Sequence, residues 1–195
     1  STSKYMDGHA VALGGIIVDG GNFNWDNGKF PDLVEPDESY HGVSYLKQFG
    51  EAAYITKARV QVMRNFGMTA SPFNAWLTNL GCESLHLRMR QHSDNALKIA
   101  KYLHDNEMCA WVKYPGLDDN KYYELAKKYL PNGCSGVMTF GVKGGRDASR
   151  KFINALKMVA LVTHVADART CVLQPASTTH RQLSDAELVA CGISP

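Results

Sequence analysis

The chain has 195 residues, 45% of them hydrophobic, which is enough for one large domain or two small ones with a packed core. Its 21 Lys and Arg against 19 Asp and Glu give a formal charge of +2. Because these charges are interspersed, they leave no basic stripe for nucleic acid. No apolar run approaches the length of a membrane span, and the first residues lack the plan of a signal peptide. The five cysteines, an odd and widely separated set without a C-x-x-C pair, point to reduced thiols in the cytoplasm, not to a zinc site or a disulfide framework. His9, His41, His86, His92, His104 and His180 show no metal-ligand spacing, so no metal is expected.

The first residues, STSKYMDGH, place a lysine at position 4 between hydroxyl residues and an aromatic. Such an amine can form a Schiff base with a carbonyl cofactor while nearby hydroxyls bind its phosphate, or it can be an ordinary solvated lysine. These residues alone do not decide between the two. AVALGGIIV (10–18) reads as a buried strand closed by Asp19-Gly20-Gly21. Residues 20–50, rich in Gly, Asn, Asp and Pro, read as a long ordered loop. GEAAYITKARVQVMRNF (50–66) is free of proline and internal glycine and reads as helix.

Ser71-Pro72 then supplies an N-cap and a first-turn proline for a long helical region. Phe73, Trp76, Leu77 and Leu80, and past Gly81 the set Ala96, Ile99, Ala100 and Leu103, form its apolar face, with Arg88, Arg90, Lys98 and Lys101 on the wet side. Beyond it the chain alternates: strand CAWVKY, helix NKYYELAKKYL, strand SGVMTFGV, a helix from Asp147 with Ala148, Phe152, Ala155, Leu156 and Val159 on one face, and strand TCVLQP. A short helix, SDAELVACG, closes the chain with a Ser184/Glu187 capping box and Gly192 at its end. This is the order of an α/β layer. KGGRDAS (143–149) lacks the phosphate-loop spacing and reads as a turn plus an N-cap. A single strand cannot bury a core in the first 60 residues, so they are expected to finish a larger domain whose beginning lies outside the chain.

The segment STSKYMDGHAVALGGIIVDGG resembles the cofactor-lysine segment of the Cys/Met-metabolism family of pyridoxal-phosphate enzymes, through Ser1, Ser3, Lys4, Tyr5, Gly8, His9, Gly14 and Gly15. The likeness continues at SLHLRM (84–89), YPGL (114–117), FINALKMVALVTHVADART (152–170) and PASTTH (175–180), and so covers essentially the whole chain; Gln174 departs from the histidine most members carry there. Residues 20–50 and the stretch after them are similar to the O-acetylhomoserine sulfhydrylase branch.

The resemblance implies an aspartate-aminotransferase-like (fold type I) α/β enzyme. In it, 1–70 end the large pyridoxal-phosphate domain, 71–105 form a connecting long helix, and 106–195 make most of a small C-terminal domain. It implies pyridoxal 5'-phosphate as cofactor, Lys4 as both catalytic residue and cofactor anchor, and Ser1 and Ser3 as phosphate ligands. His164 is a weaker substrate-contact candidate, set against a structural histidine at a helix end. The implied reaction is γ-replacement, in which O-acetyl-L-homoserine and sulfide or methanethiol give homocysteine or methionine and acetate. γ-Elimination, cystathionine synthesis and a silent fragment are the alternatives. The implied partners are the missing N-terminal half and further copies in a homotetramer.

Overall fold

The computed structural model describes residues 1–194 and divides the chain into two compact units, Gly14–Ala75 and a second made of Ser1–Leu13 with the chain from Trp76 onward. The first unit contains α1 (Pro31–Val34), a 3-10 turn at Glu38–Tyr40, α2 (Tyr45–Phe49) and α3 (Ala53–Lys57), which runs through a π stretch at Ala58–Met63 into α4 (Arg64–Phe66). Part of the expected loop is therefore helical. Proline at the head of α1 and the Ser44 hydroxyl, which accepts from the Lys47 N–H at the head of α2, supply the start signals.

These short helices order because they share a core, Leu33, Tyr45 and Ala53, packed by Trp25, Phe30, Phe49 and Tyr54. Trp25 stacks on Tyr54 at 5.0 Å. Lys57 closes one side, with its Nζ donating to Asp37 Oδ2 at 2.9 Å and to the Asp32 carbonyl at 2.8 Å. Together with hydrogen bonds from Ser39 and Gln61, this holds the Asp37 carboxyl far below the ordinary range, the Ser39 bond being the largest influence.

The buried strand expected at 10–18 is not formed. The segment has no regular structure, and Leu13 and Val18 are 82% and 85% exposed. A strand exists only through a neighbour's N–H and C=O groups, and among the described residues no strand ladder or β-bridge includes this segment.

α5 (Pro72–Glu83) starts at the expected proline in the first unit and runs past Ala75 into the second, with Ser71 Oγ accepting from the Asn74 N–H at 3.1 Å. The helix breaks at Ser84 and resumes as α6 (Leu85–His104). β1 (Cys109–Lys113), α7 (Tyr123–Tyr129), β2 (Thr139–Val142) and α8 (Gly145–Ala155) follow. β1 and β2 pair antiparallel, with Val112 opposite Phe140 and a register shift between Cys109 and Trp111. α8 begins two residues before the expected Asp147 cap, on Gly144 at φ 99°; Asp147 instead pairs with Arg150 inside the helix.

A two-residue strand that the sequence reading did not pick out, β3 (Ala160–Leu161), lies parallel to β4 (Cys171–Val172), so the unit has two small sheets. α9 (Asp185–Ala190) carries the expected capping box, and Gly192 follows it at φ 75°. The core joins Ala96 and Ala100 of α6 to Tyr114 and Leu117. On α5 the expected core face, Phe73, Trp76 and Leu80, is largely exposed. Among the described residues no helix is long and apolar enough to cross a membrane.

Candidate active site

The residues around Lys4 form a succession of tight turns. The Asp7 N–H donates to the Thr2 carbonyl at 3.0 Å and the Gly8 N–H to the Lys4 carbonyl at 2.7 Å. Asp7, only 1% exposed, accepts the N–H groups of Val11 at 2.9 Å and Ala12 at 3.4 Å on Oδ2, which fixes the exit of the chain. Its Oδ1 is buried with no hydrogen-bond partner among the described residues. His9 turns back through Nδ1 to the Asp7 carbonyl at 3.1 Å.

This turn is held from outside by residues remote in sequence. The Gly136 N–H donates to the Tyr5 hydroxyl at 2.9 Å, and the Tyr5 ring meets His92 of α6 edge-on at 5.6 Å. The Ala168 N–H donates to the Gly8 carbonyl at 2.7 Å. Gly81 of α5 lies directly under the turn: a Cβ there would sit 2.8 Å from the Asp7 carbonyl carbon and closer still to the Met6 and Asp7 carbonyl oxygens. Only glycine permits that approach of backbone to backbone.

Arg88 of α6, expected on the wet face, turns inward instead; Arg90, Lys98 and Lys101 are exposed as expected. Its Nε donates to Ser84 Oγ at 3.0 Å, and Nη2 to the Gly81 carbonyl at 2.7 Å and the Met6 carbonyl at 3.5 Å. Nη1 is buried with no acceptor among the described residues. The guanidinium thus reaches from the helix break at Ser84 to the Lys4 turn.

On the far side Asp167, 4% exposed, is gripped by the Arg169 guanidinium at 2.9 Å through both carboxylate oxygens. The Arg169 hydrogen bonds lower its pKa to about 2 against the opposing effect of burial. Burial, then the Arg88 charge, pushes the His92 imidazole below its ordinary value, while Asp167 pulls the other way. His164 lies in the irregular segment between β3 and β4, not at a helix end, and its Nε2 is buried with no hydrogen-bond partner among the described residues.

Of the residues singled out by sequence, Lys4 is half-buried on this braced turn, Ser1 is exposed and Ser3 is 6% exposed. The turn thus offers one primary amine and the hydroxyls of Ser1, Thr2 and Ser3. Among the described residues the Lys4 amine takes no hydrogen-bond or ion-pair partner. Gln174, the departure from the family pattern, is absorbed locally: it donates to the Arg146 carbonyl at 3.3 Å and accepts from Ser177 Oγ at 2.6 Å. Sequence reasoning missed Asp7, Gly81, Arg88 and Asp167. The one signal available was a glycine inside a helix, a position where glycine is unfavourable unless something must pass close by.

Residues 1–195 match the model of the Cys/Met metabolism PLP-dependent enzyme family. The chain is 45% identical over 204 residues to O-acetyl-L-homoserine sulfhydrylase of Leptospira meyeri, a match covering all of this chain and 46% of that protein. Its fold superposes over its whole length on 47% of a chain named as an O-acetylhomoserine (thiol)-lyase of Campylobacter jejuni, with a TM-score of 0.86 and 34% identity; that structure carries N'-pyridoxyl-lysine-5'-monophosphate. It superposes equally completely on 42% of cystathionine gamma synthase from Xanthomonas oryzae pv. oryzae, with a TM-score of 0.71 and 28% identity. The chain spans less than half the length of the curated relatives it matches. Its fold is part of the fold type I architecture of these enzymes, as the resemblance implied. A family match from the first residue to the last, over a fold shared with a lysine-bound pyridoxyl enzyme, establishes that the chain belongs to the Cys/Met-metabolism family of pyridoxal-phosphate-dependent enzymes.

Proposed function

We propose that the intact protein is an O-acetyl-L-homoserine sulfhydrylase, converting O-acetyl-L-homoserine and sulfide or methanethiol into L-homocysteine or L-methionine and acetate. The observation that carries this reading is the 45% identity, over the whole chain, to a protein named for that reaction. The donor set on the Lys4 turn agrees with the cofactor: an unpartnered amine suits an aldehyde carbon, and short hydroxyl side chains suit phosphate oxygens. When bound, pyridoxal 5'-phosphate supplies the electron sink for bond breaking next to the substrate's amino carbon.

Lys4 anchors that group covalently. Its amine, when free, would act as a base that takes the proton from Cα and moves protons at Cβ in the exchange of acetate for the thiol at Cγ. Ser1 and Ser3 would hold the cofactor phosphate as hydroxyl donors, without adding a charge. Tyr5, bonded to Gly136, and Gly81, packed against Met6 and Asp7, brace the turn that carries Lys4.

The partners in this reading are an N-terminal half that completes the cofactor pocket and further copies of the chain in a homotetramer. The compartment is the cytoplasm, in keeping with five free thiols. Cystathionine synthesis is the second reading, favoured by the structural likeness to cystathionine gamma synthase. Supplying the intact protein with O-acetyl-L-homoserine and either sulfide or cysteine separates the two. Homocysteine release with sulfide is expected, and formation of cystathionine alone, or of α-ketobutyrate alone, refutes the sulfhydrylase reading. Lys4→Ala abolishes the visible absorbance of lysine-bound cofactor, and a retained band refutes the assignment. Ser1→Ala combined with Ser3→Ala weakens cofactor retention and leaves the band.

A further inference from the structure

We propose that Arg88 is the positioning residue of the cofactor lysine, its guanidinium tying Met6 of the Lys4 turn to Gly81 and Ser84 at the α5–α6 junction. The inference rests on the reading of Lys4 given above. A guanidinium is a rigid planar fork with five N–H donors. Here Nε reaches Ser84 Oγ at 3.0 Å while Nη2 spans the Gly81 carbonyl at 2.7 Å and the Met6 carbonyl at 3.5 Å. One side chain thus joins the break between two helices to a carbonyl two residues from Lys4.

The fit against the turn is tight on the other side as well. Gly8 has φ +74°, and a Cβ there would lie 2.5 Å from Arg88 Cζ and 2.8 Å from Nη2. The guanidinium therefore fills the space that a side chain at position 8 would occupy. Because the Gly8 N–H donates to the Lys4 carbonyl at 2.7 Å, displacement of Gly8 is passed directly to the backbone of Lys4. The absent side chains at positions 8 and 81 and the long one at 88 form one joint.

The joint carries a cost. Among the described residues Nη1 is buried with no acceptor, and a buried unsatisfied donor costs about 1–3 kcal/mol, more when charged. An arginine kept only to stabilise α6 would gain by turning outward, as Arg90 does. Its inward orientation makes sense where holding the turn matters more than the lost hydrogen bond.

The test uses the intact holoenzyme and compares Arg88→Lys, Arg88→Ala, Ser84→Ala and Lys4→Ala. Lysine keeps the charge but loses the fork, so Arg88→Lys is expected to resemble Arg88→Ala and not the parent. Both are expected to displace the pH midpoint of the lysine-bound cofactor's visible absorbance. Both are also expected to lower kcat about 10- to 100-fold at nearly unchanged KM, the loss a displacement near 1 Å produces. Guanidinium added at a non-denaturing concentration should partly restore Arg88→Ala. If the alanine variant does not fold, Ser84→Ala, which removes the Nε acceptor and leaves Arg88 in place, should shift the same midpoint in the same direction by less. Folded Arg88→Lys and Ser84→Ala proteins with the parent's midpoint and kcat, differing only in melting temperature, would overturn the proposal. If Lys4→Ala retains the band, the reading of Lys4 itself fails; if the band is lost while the Arg88 and Ser84 variants match the parent, only the role of Arg88 fails.

Discussion

Gly81→Ala puts two structural effects in direct opposition. In a helix interior alanine is favoured over glycine by about 1 kcal/mol, so propensity alone predicts a more stable protein. The new Cβ, however, would lie 2.8 Å from the carbonyl carbon of Asp7, where an unstrained carbon–carbon contact is about 3.5–4.0 Å. Helix α5 and the Lys4 turn must then separate by about 1 Å, because what blocks the methyl group is backbone, which cannot rotate away. The turn is also pinned by Tyr5, Arg88 and the Gly8 carbonyl, so the separation strains those contacts. Overpacking of this kind costs about 1–3 kcal/mol. The net expectation is a destabilisation of about 1 kcal/mol, read by urea unfolding of the intact protein followed by far-UV circular dichroism. Catalysis should suffer more than stability, since displacing Lys4 by about 1 Å can lower kcat about 100-fold. A Gly81→Ala protein that is more stable by the full propensity gain and retains the parent's kcat would refute the claim that α5 and the turn are in rigid contact.

Two further substitutions probe the second unit. Asp167 has its pKa lowered to about 2 from an unfolded value of 3.8, so its stabilising contribution is complete above pH 3.8 and disappears as pH falls from there through about 2. This lowering corresponds to ~2 kcal/mol at most, and because Arg169 is 75% exposed, solvent screening reduces it to ~1 kcal/mol. Asp167→Asn should therefore flatten the acid limb of stability against pH, and an unchanged limb would show that the Arg169 pair contributes nothing. Ser184→Ala removes the hydroxyl that accepts the Glu187 N–H at 3.4 Å and should cost about 1 kcal/mol in urea unfolding; an unchanged midpoint would mean that α9 does not depend on its cap.

Start and stop signals were the most legible part of the fold. Pro72 after Ser71, the Ser184/Glu187 box and Gly192 act within a single helical turn, and each appears where local chemistry puts it. The apolar stretch at 10–18 was misread for the opposite reason: a strand depends on a partner, and apolar composition states only that the segment suits burial. The polar stretch at 20–50 misled in the other direction. Its Gly, Asn and Pro content reads as loop, yet Trp25, Phe30, Leu33, Tyr45 and Phe49 are spaced to meet in space and not along a helix or strand period. A two-residue pair such as β3 with β4 is too short to leave any periodic trace.

The candidate site divides along the same line. Lys4, Ser1 and Ser3 are contiguous, so a motif can name them. What holds them is not contiguous: Tyr5 meets Gly136, Met6 meets Arg88, Gly8 meets Ala168, and the turn lies against Gly81. Each supporting residue also looks like something else where it stands, Arg88 like the wet face of a helix and Gly81 like a weak point in one. A catalytic amine needs a fixed origin, and a turn of eight residues cannot supply one from its own backbone hydrogen bonds alone. The rigidity has to be borrowed from long helices, and the joint between turn and helix calls for missing side chains on both faces and a flat, multiply bonded one across them. That requirement explains why two glycines and an arginine, none of them chemically reactive, belong to the same device as the lysine.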